Sequence, residues 1–84
     1  MLVDVLMPDL DLRRSRPRVS LWLVDVGAAV LCGDGILEIS ADGVTIDLPA
    51  PADGVLHAIF VGEDDELTPG QRLGQIAAVV ESAT

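Results

Sequence analysis

An internal repeat constrains this chain more than any other feature. Five positions recur at a fixed spacing of 37 residues: Val24 with Val61, Val30 with Leu67, Gly33 with Gly70, Ile36 with Leu73 and Ile39 with Ile76. A pattern written twice describes two similar units, each with an apolar face it cannot bury alone, closing on one another about a pseudo-twofold axis. The 84 residues allow one domain spanning residues 1–84, in which folding removes roughly 60–65% of the unfolded surface from water. The two units must therefore share a core.

The units are built from strands. Val, Ile and Leu dominate, stripes at helical spacing are absent, and Gly, Pro or Asp-Gly interrupts the chain every few residues, as many short strands require. Strands are predicted at residues 2–6, 19–24, 36–40, 45–48, 55–61 and 73–80, with very short ones near Val30 and Leu67. In Val44-Thr45-Ile46-Asp47-Leu48 the three apolar side chains share one face, while Thr45 and Asp47 face water. Asp42-Gly43 lies between two such segments, where both residues tolerate positive φ, so a tight exposed hairpin turn is expected there. Pro49 and Pro51 lack the N–H groups that would extend a ladder, and Gly54 opens the next strand, which marks a crossing between two sheets. The acidic turn at residues 63–66 takes the place in the second unit of residues 26–29 in the first. The fold class is all-β, a flattened barrel or sandwich.

Charge and composition narrow the partners. Half the residues are hydrophobic, yet no unbroken apolar run exceeds that of residues 28–32, far below the ~20 residues of a membrane span; no membrane partner is expected. No charged start, apolar stretch and small-residue cleavage site open the chain, so a cytoplasmic location is expected. Cys32 is the single cysteine and no Cys/His cluster accompanies it, which agrees with a reducing compartment and offers no structural metal site. A net charge of −9 argues against nucleic acid. All five basic residues are arginine, and four of them, Arg13, Arg14, Arg16 and Arg18, crowd into one short segment; the chain has no lysine.

Met7-Pro8-Asp9-Leu10, Leu21-Trp22-Leu23-Val24 followed by Gly27, Val30 and Gly33-Asp34, then Leu37-Glu38-Ile39, residues 49–54 and residues 69–76 together resemble the lipoyl domains of 2-oxoacid dehydrogenase acyltransferases and the related biotinyl domains. The resemblance covers almost the whole chain. It implies a barrel-sandwich hybrid of two similar four-stranded sheets with pseudo-twofold symmetry. At the hairpin tip the family typically reads Asp-Lys-Ala, and the lysine carries lipoate or biotin through an amide. Here the tip reads Asp42-Gly43-Val44. Counting back from Pro49-Ala50-Pro51 places Gly43 at the lysine position, where no amine is available, so no cofactor is expected. The resemblance also implies that the loop between the first two major strands lies beside this hairpin and helps a dehydrogenase component choose its domain. Arg13, Arg14, Arg16, Arg18 and Asp42 are thus the partner-binding candidates, the arginines forming a basic pole that suits an acidic partner surface.

Other candidates weigh less. His57 has no nucleophile in recognisable relation to it and reads as a strand residue. Cys32 lacks a nearby base in sequence and reads as a small core hydrophobe. Residues 63–66 lack the alternating ligand spacing of a calcium loop and read as a solvated turn. Trp22 and Phe60 are assigned to the core. With no arranged nucleophile, base or swinging arm the chain is read as no enzyme. It is read as a degenerate lipoyl-type interaction or assembly element whose partner is a 2-oxoacid dehydrogenase or acyltransferase component. The alternative is an N-terminal vestigial spacer of a larger acyltransferase-like enzyme, with Ser82-Ala83-Thr84 beginning a linker.

Overall fold

Alternating Ile, Leu and Val residues become short antiparallel strands in the computed structural model, which describes residues 1–11 and 16–79. The strands are β1 (Leu2–Leu6), β2 (Arg18–Trp22), β3 (Ala29–Val30), β4 (Gly35–Ala41), β5 (Val44–Pro49), β6 (Gly54–Ile59) and β7 (Arg72–Ala78). One sheet has the order β1-β7-β6-β3 and the other β2-β4-β5. The first strand matches its predicted bounds. The strand predicted at 55–61 stops at Ile59, after a bulge that sets Leu56 and Ala58 out of step, and the end of the one predicted at 73–80 falls outside the described residues. The prolines act as expected: β5 closes the second sheet at Pro49 and β6 opens the first at Gly54. Among the described residues no helix is long and apolar enough to cross a membrane.

The repeat is visible in the backbone bonding. Gly27 N donates to Leu56 O at 2.8 Å, and 37 residues on Asp64 N donates to Val19 O at 2.9 Å. Leu56 N to Ala28 O and Val19 N to Asp65 O, both 3.0 Å, are the same bond in the two units. Leu23 N to Ile36 O and Phe60 N to Leu73 O, both 2.9 Å, form another such pair. Equivalent sequence positions thus occupy equivalent places, as a pseudo-twofold axis requires.

The symmetry fails at one edge. Two four-stranded sheets are expected, but the second has three strands, and the short strand expected near Leu67 is reduced to a single bridge between Glu66 and Arg18. Proline explains the loss. In the first unit Val30 pairs with Gly54, and the equivalent of Gly54 is Pro17. Leu67 N donates to Pro17 O at 2.9 Å, but Pro17 has no N–H to return, so the ladder ends after one residue.

Between the sheets Val19, Ile36, Leu37, Ile39, Leu56, Leu73 and Ile76 are fully buried, each contributing about 1.5–3 kcal/mol of transfer free energy. Ile36 and Leu73, and Ile39 and Ile76, are two of the five pairs of the 37-residue repeat. Trp22 packs against this cluster, and its indole Nε1 donates to Val61 O at 2.9 Å, tying one unit to the other. Phe60 departs from the core assignment. Its ring is exposed and lies beneath the Arg72 guanidinium, 5.3 Å away, because the half-buried neighbour Ile59 takes the inward position and alternation turns Phe60 outward.

Candidate functional site at the hairpin tip

The hairpin between β4 and β5 closes on the pair Ala41 and Val44, leaving Asp42 and Gly43 as the two-residue turn. Their φ angles are +53° and +77°, both in the left-handed region, as a type I′ turn demands and as Asp-Gly supplies at least strain. A Cβ built on Gly43 would meet nothing within 4 Å. The tip stands clear of the body. Val44 shows the consequence: it was expected on the buried face with Ile46 and Leu48, but burial grows only with distance from the tip, from exposed Val44 through half-buried Ile46 to buried Leu48.

Arg18, in the described part of the arginine segment, lies beside this tip. Arg18 pairs with Ser40, Ser40 with Thr45, and the Glu66 bridge adds a fourth member, so Glu66, Arg18, Ser40 and Thr45 form a row across the end of the second sheet, one residue below the closing pair. Arg18 Nη2 donates to Glu66 Oε1 at 2.7 Å and its Nη1 to Asp64 O at 2.9 Å, while Arg16 Nη1 reaches Glu66 Oε2 at 3.3 Å. Two of the four candidate arginines are therefore held by the acidic turn of the other unit; Arg13 and Arg14 lie outside the described residues. The turn at 63–66, read as merely solvated, is exposed but bonded. The repeat carried a signal for this: shifted by 37 positions, the apolar pair Ala29 and Val55 of the first sheet becomes Glu66 and Arg18. The same shift turns Glu66, Arg18 and Ser40 into Ala29, Val55 and Ala77, which with Leu2, the strand partner of Ala77, form an apolar row across the first sheet. The tip end is polar where its counterpart is apolar.

The Arg18 pair is open to water, with side-chain exposures of 48% and 42% for Arg18 and Glu66. Such a pair contributes about 0.2–1 kcal/mol and is screened by salt. Arg18→Ala is expected to lower the urea midpoint slightly in dilute buffer, followed by Trp22 emission, with the difference shrinking in molar salt. A loss that is unchanged by salt would assign the effect to the carbonyl contact at Asp64 instead.

The remaining candidates lie apart from the tip. His57 is exposed on β6, in the bulge between Leu56 and Ala58. Cys32, expected as a core hydrophobe, is exposed. Its loop is held open by side chains: Leu31 N donates to Asp34 Oδ2 at 2.9 Å and Cys32 N to Asp53 Oδ1 at 2.7 Å, which leaves the thiol outside the two packed faces. Sequence reasoning did not anticipate how closely two glycines meet neighbouring backbone. A Cβ on Gly74 would come within 2.6 Å of Ala58 O, and one on Gly54 would overlap Ala77 O.

Comparison with known proteins agrees with the geometry. The family model described as "Biotin-requiring enzyme" matches residues 3–76. The chain is 36% identical over 74 residues to the dihydrolipoyllysine-residue succinyltransferase component of the 2-oxoglutarate dehydrogenase complex of Escherichia coli (strain K12), covering 88% of this chain and 18% of that protein. It is 34% identical over 82 residues to the dihydrolipoyllysine-residue acetyltransferase component of the acetoin cleaving system of Bacillus subtilis (strain 168), covering 98% and 21% respectively. The chain thus spans about a fifth of the length of these curated relatives. The solution structure of the lipoyl domain of the 2-oxoglutarate dehydrogenase complex from Azotobacter vinelandii superposes with a TM-score of 0.72 at 29% identity, over 89% of this chain and 95% of that one.

Proposed function

This chain belongs to the biotinyl and lipoyl attachment family, and from that premise we propose that it is a carrier-type domain that has lost its carrier role and serves as a non-catalytic docking element for a 2-oxoacid dehydrogenase complex. One observation carries the reading: glycine stands at the apex of the exposed hairpin, where the resemblance puts the attachment lysine, in a chain without any lysine. Acyl transfer by a swinging arm needs an amine to hold the arm, and this tip has none. What the tip does retain is a tight two-residue turn beside the Arg18 and Glu66 ion pair, which can select a partner by shape and complementarity without turnover.

The test is an affinity capture from host lysate, comparing the wild type with a variant in which Arg13, Arg14, Arg16 and Arg18 are all alanine. Enrichment of a dehydrogenase-complex subunit by the wild type and its loss in the variant is the expected result. Enrichment that survives the four substitutions would move the docking surface away from the arginine segment. If neither chain enriches such a subunit, the docking reading fails.

A second reading is favoured by the coverage of the relatives, of which this chain matches about a fifth. In it the domain is a vestigial spacer within a longer acyltransferase-like polypeptide. An immunoblot of host lysate with antibody to the domain separates the two, since a band far larger than the 84-residue chain supports the spacer.

A further inference from the structure

The sequence contains three Asp-Gly pairs, Asp34-Gly35, Asp42-Gly43 and Asp53-Gly54, and they differ in a way that bears on covalent chemistry. At this dipeptide the missing side chain on glycine lets its amide nitrogen approach the aspartate Cγ. Cyclisation requires the peptide plane between the two residues to rotate, and it requires a carboxyl group that is not held elsewhere. At 34–35 both are restrained: Asp34 O accepts from Ala50 N at 2.8 Å and Asp34 Oδ2 accepts from Leu31 N at 2.9 Å. At 53–54 they are restrained as well. Asp53 O accepts from Val79 N at 2.9 Å, Asp53 Oδ1 accepts from Cys32 N at 2.7 Å, and Gly54 is buried against the backbone of Ala77.

Asp42-Gly43 is the exception. Both residues are exposed, no hydrogen bond to the Asp42 carboxylate is found among the described residues, and a Cβ on Gly43 would meet nothing beyond its chain neighbours within 4 Å. In a two-residue hairpin the amide of the second turn residue points away from the ladder, so Gly43 N is not tied by pairing. A tip held by its closing pair opens locally at far lower cost than the strands beneath it.

We propose that Asp42-Gly43 is a site of spontaneous backbone rearrangement, converting through a cyclic imide to isoaspartate at the position where the family carries its acyl group. Gly43 N attacks Asp42 Cγ; the N–Cγ bond forms, a carboxyl C–O bond breaks, and one water leaves with the amide proton. Water then adds to one of the two imide carbonyls. Addition at Cγ restores aspartate. Addition at the main-chain carbonyl breaks its bond to Gly43 N and reroutes the backbone through Cβ and Cγ, with no net change in mass and no oxidant or reductant. The product has an extra methylene in a turn built for two residues, so the Ala41 and Val44 closing pair is lost. This goes beyond the docking reading and stands whether or not a partner exists.

The chain is incubated for weeks at neutral pH and physiological temperature, then treated with an isoaspartyl-directed methyltransferase and labelled methyl donor. It is separately digested with a protease that cuts before aspartate but not before isoaspartate. The expected result is methyl incorporation that grows with time, progressive loss of cleavage before Asp42, and retained cleavage before Asp34 and Asp53. Asp42→Glu, which would have to form a larger ring, loses the methyl incorporation while keeping the Trp22 emission of the folded chain. Incorporation that persists in Asp42→Glu, equal loss of cleavage at all three sites, or no incorporation in the aged wild type would each overturn the proposal.

Discussion

Gly54→Ala is expected to destabilise the domain by at least about 3 kcal/mol, a large share of the roughly 4–13 kcal/mol available to a domain of this length. The reason is contact with backbone. Gly54 begins β6, pairs with Ala78 of β7 on one side and with Val30 of β3 on the other, and is buried. A methyl group there overlaps Ala77 O and comes within 2.8 Å of Ala77 C and 2.9 Å of Ala78 Cα. A side chain would swing aside, but a strand in the middle of a sheet yields only by separating from its neighbours. Gly62→Ala is the matched control, because a Cβ at that exposed position meets nothing within 4 Å. Urea unfolding followed by the single tryptophan compares the two. A Gly54→Ala midpoint no lower than that of Gly62→Ala would mean that β6 and β7 part without penalty and that the close approach is not a constraint.

The second large effect is a gain. Gly43→Lys is expected to turn a chain without lysine into one that accepts lipoate from a lipoate ligase, read as the mass increase of one lipoyl group on the intact protein. The site has room, since nothing lies within 4 Å of a Cβ at residue 43. The backbone at φ +77° penalises an L side chain by about 1–2 kcal/mol, and an exposed two-residue turn can relax to lessen this. The resemblance supplies the rest, since the family presents Asp-Lys at this place and Asp42 is already present. An unmodified mass, with the variant still folded, would show that Gly43 is not the equivalent of the lysine or that the ligase also reads flanking positions. Ala41 and Val44 are the positions to restore next. The wild type, co-expressed in the same way, serves as the blank.

Much of this architecture was legible before any coordinates. Alternation over residues 44–48 and the Asp-Gly pair specify a hairpin through local preferences that act over a few residues, and the turn adopts the positive φ angles those residues tolerate. The two-unit plan was legible because equivalent side chains recur at one spacing and are buried together. Where reasoning from sequence stopped short, a partner distant in the chain was responsible. Cys32 and Phe60 are apolar by composition, and nothing local says that a loop pinned by Asp34 and Asp53, or a bulge within β6, turns them outward. The arginine segment reads from sequence as a basic pole for an acidic partner surface, and its internal engagement is invisible there because the pairing of Arg16 and Arg18 with Glu66 spans some 50 positions.

By itself the sequence determined the strand-rich class, the repeat, the turn at Asp42-Gly43 and the absence of any lysine to acylate, because each is a matter of short-range conformational preference or of chemical identity. Tertiary structure decided which edge of the sandwich is truncated, which arginines are already engaged, and which glycines admit no side chain. Those outcomes depend on how close two distant backbones come, and that distance is set by the packing of both units around one core.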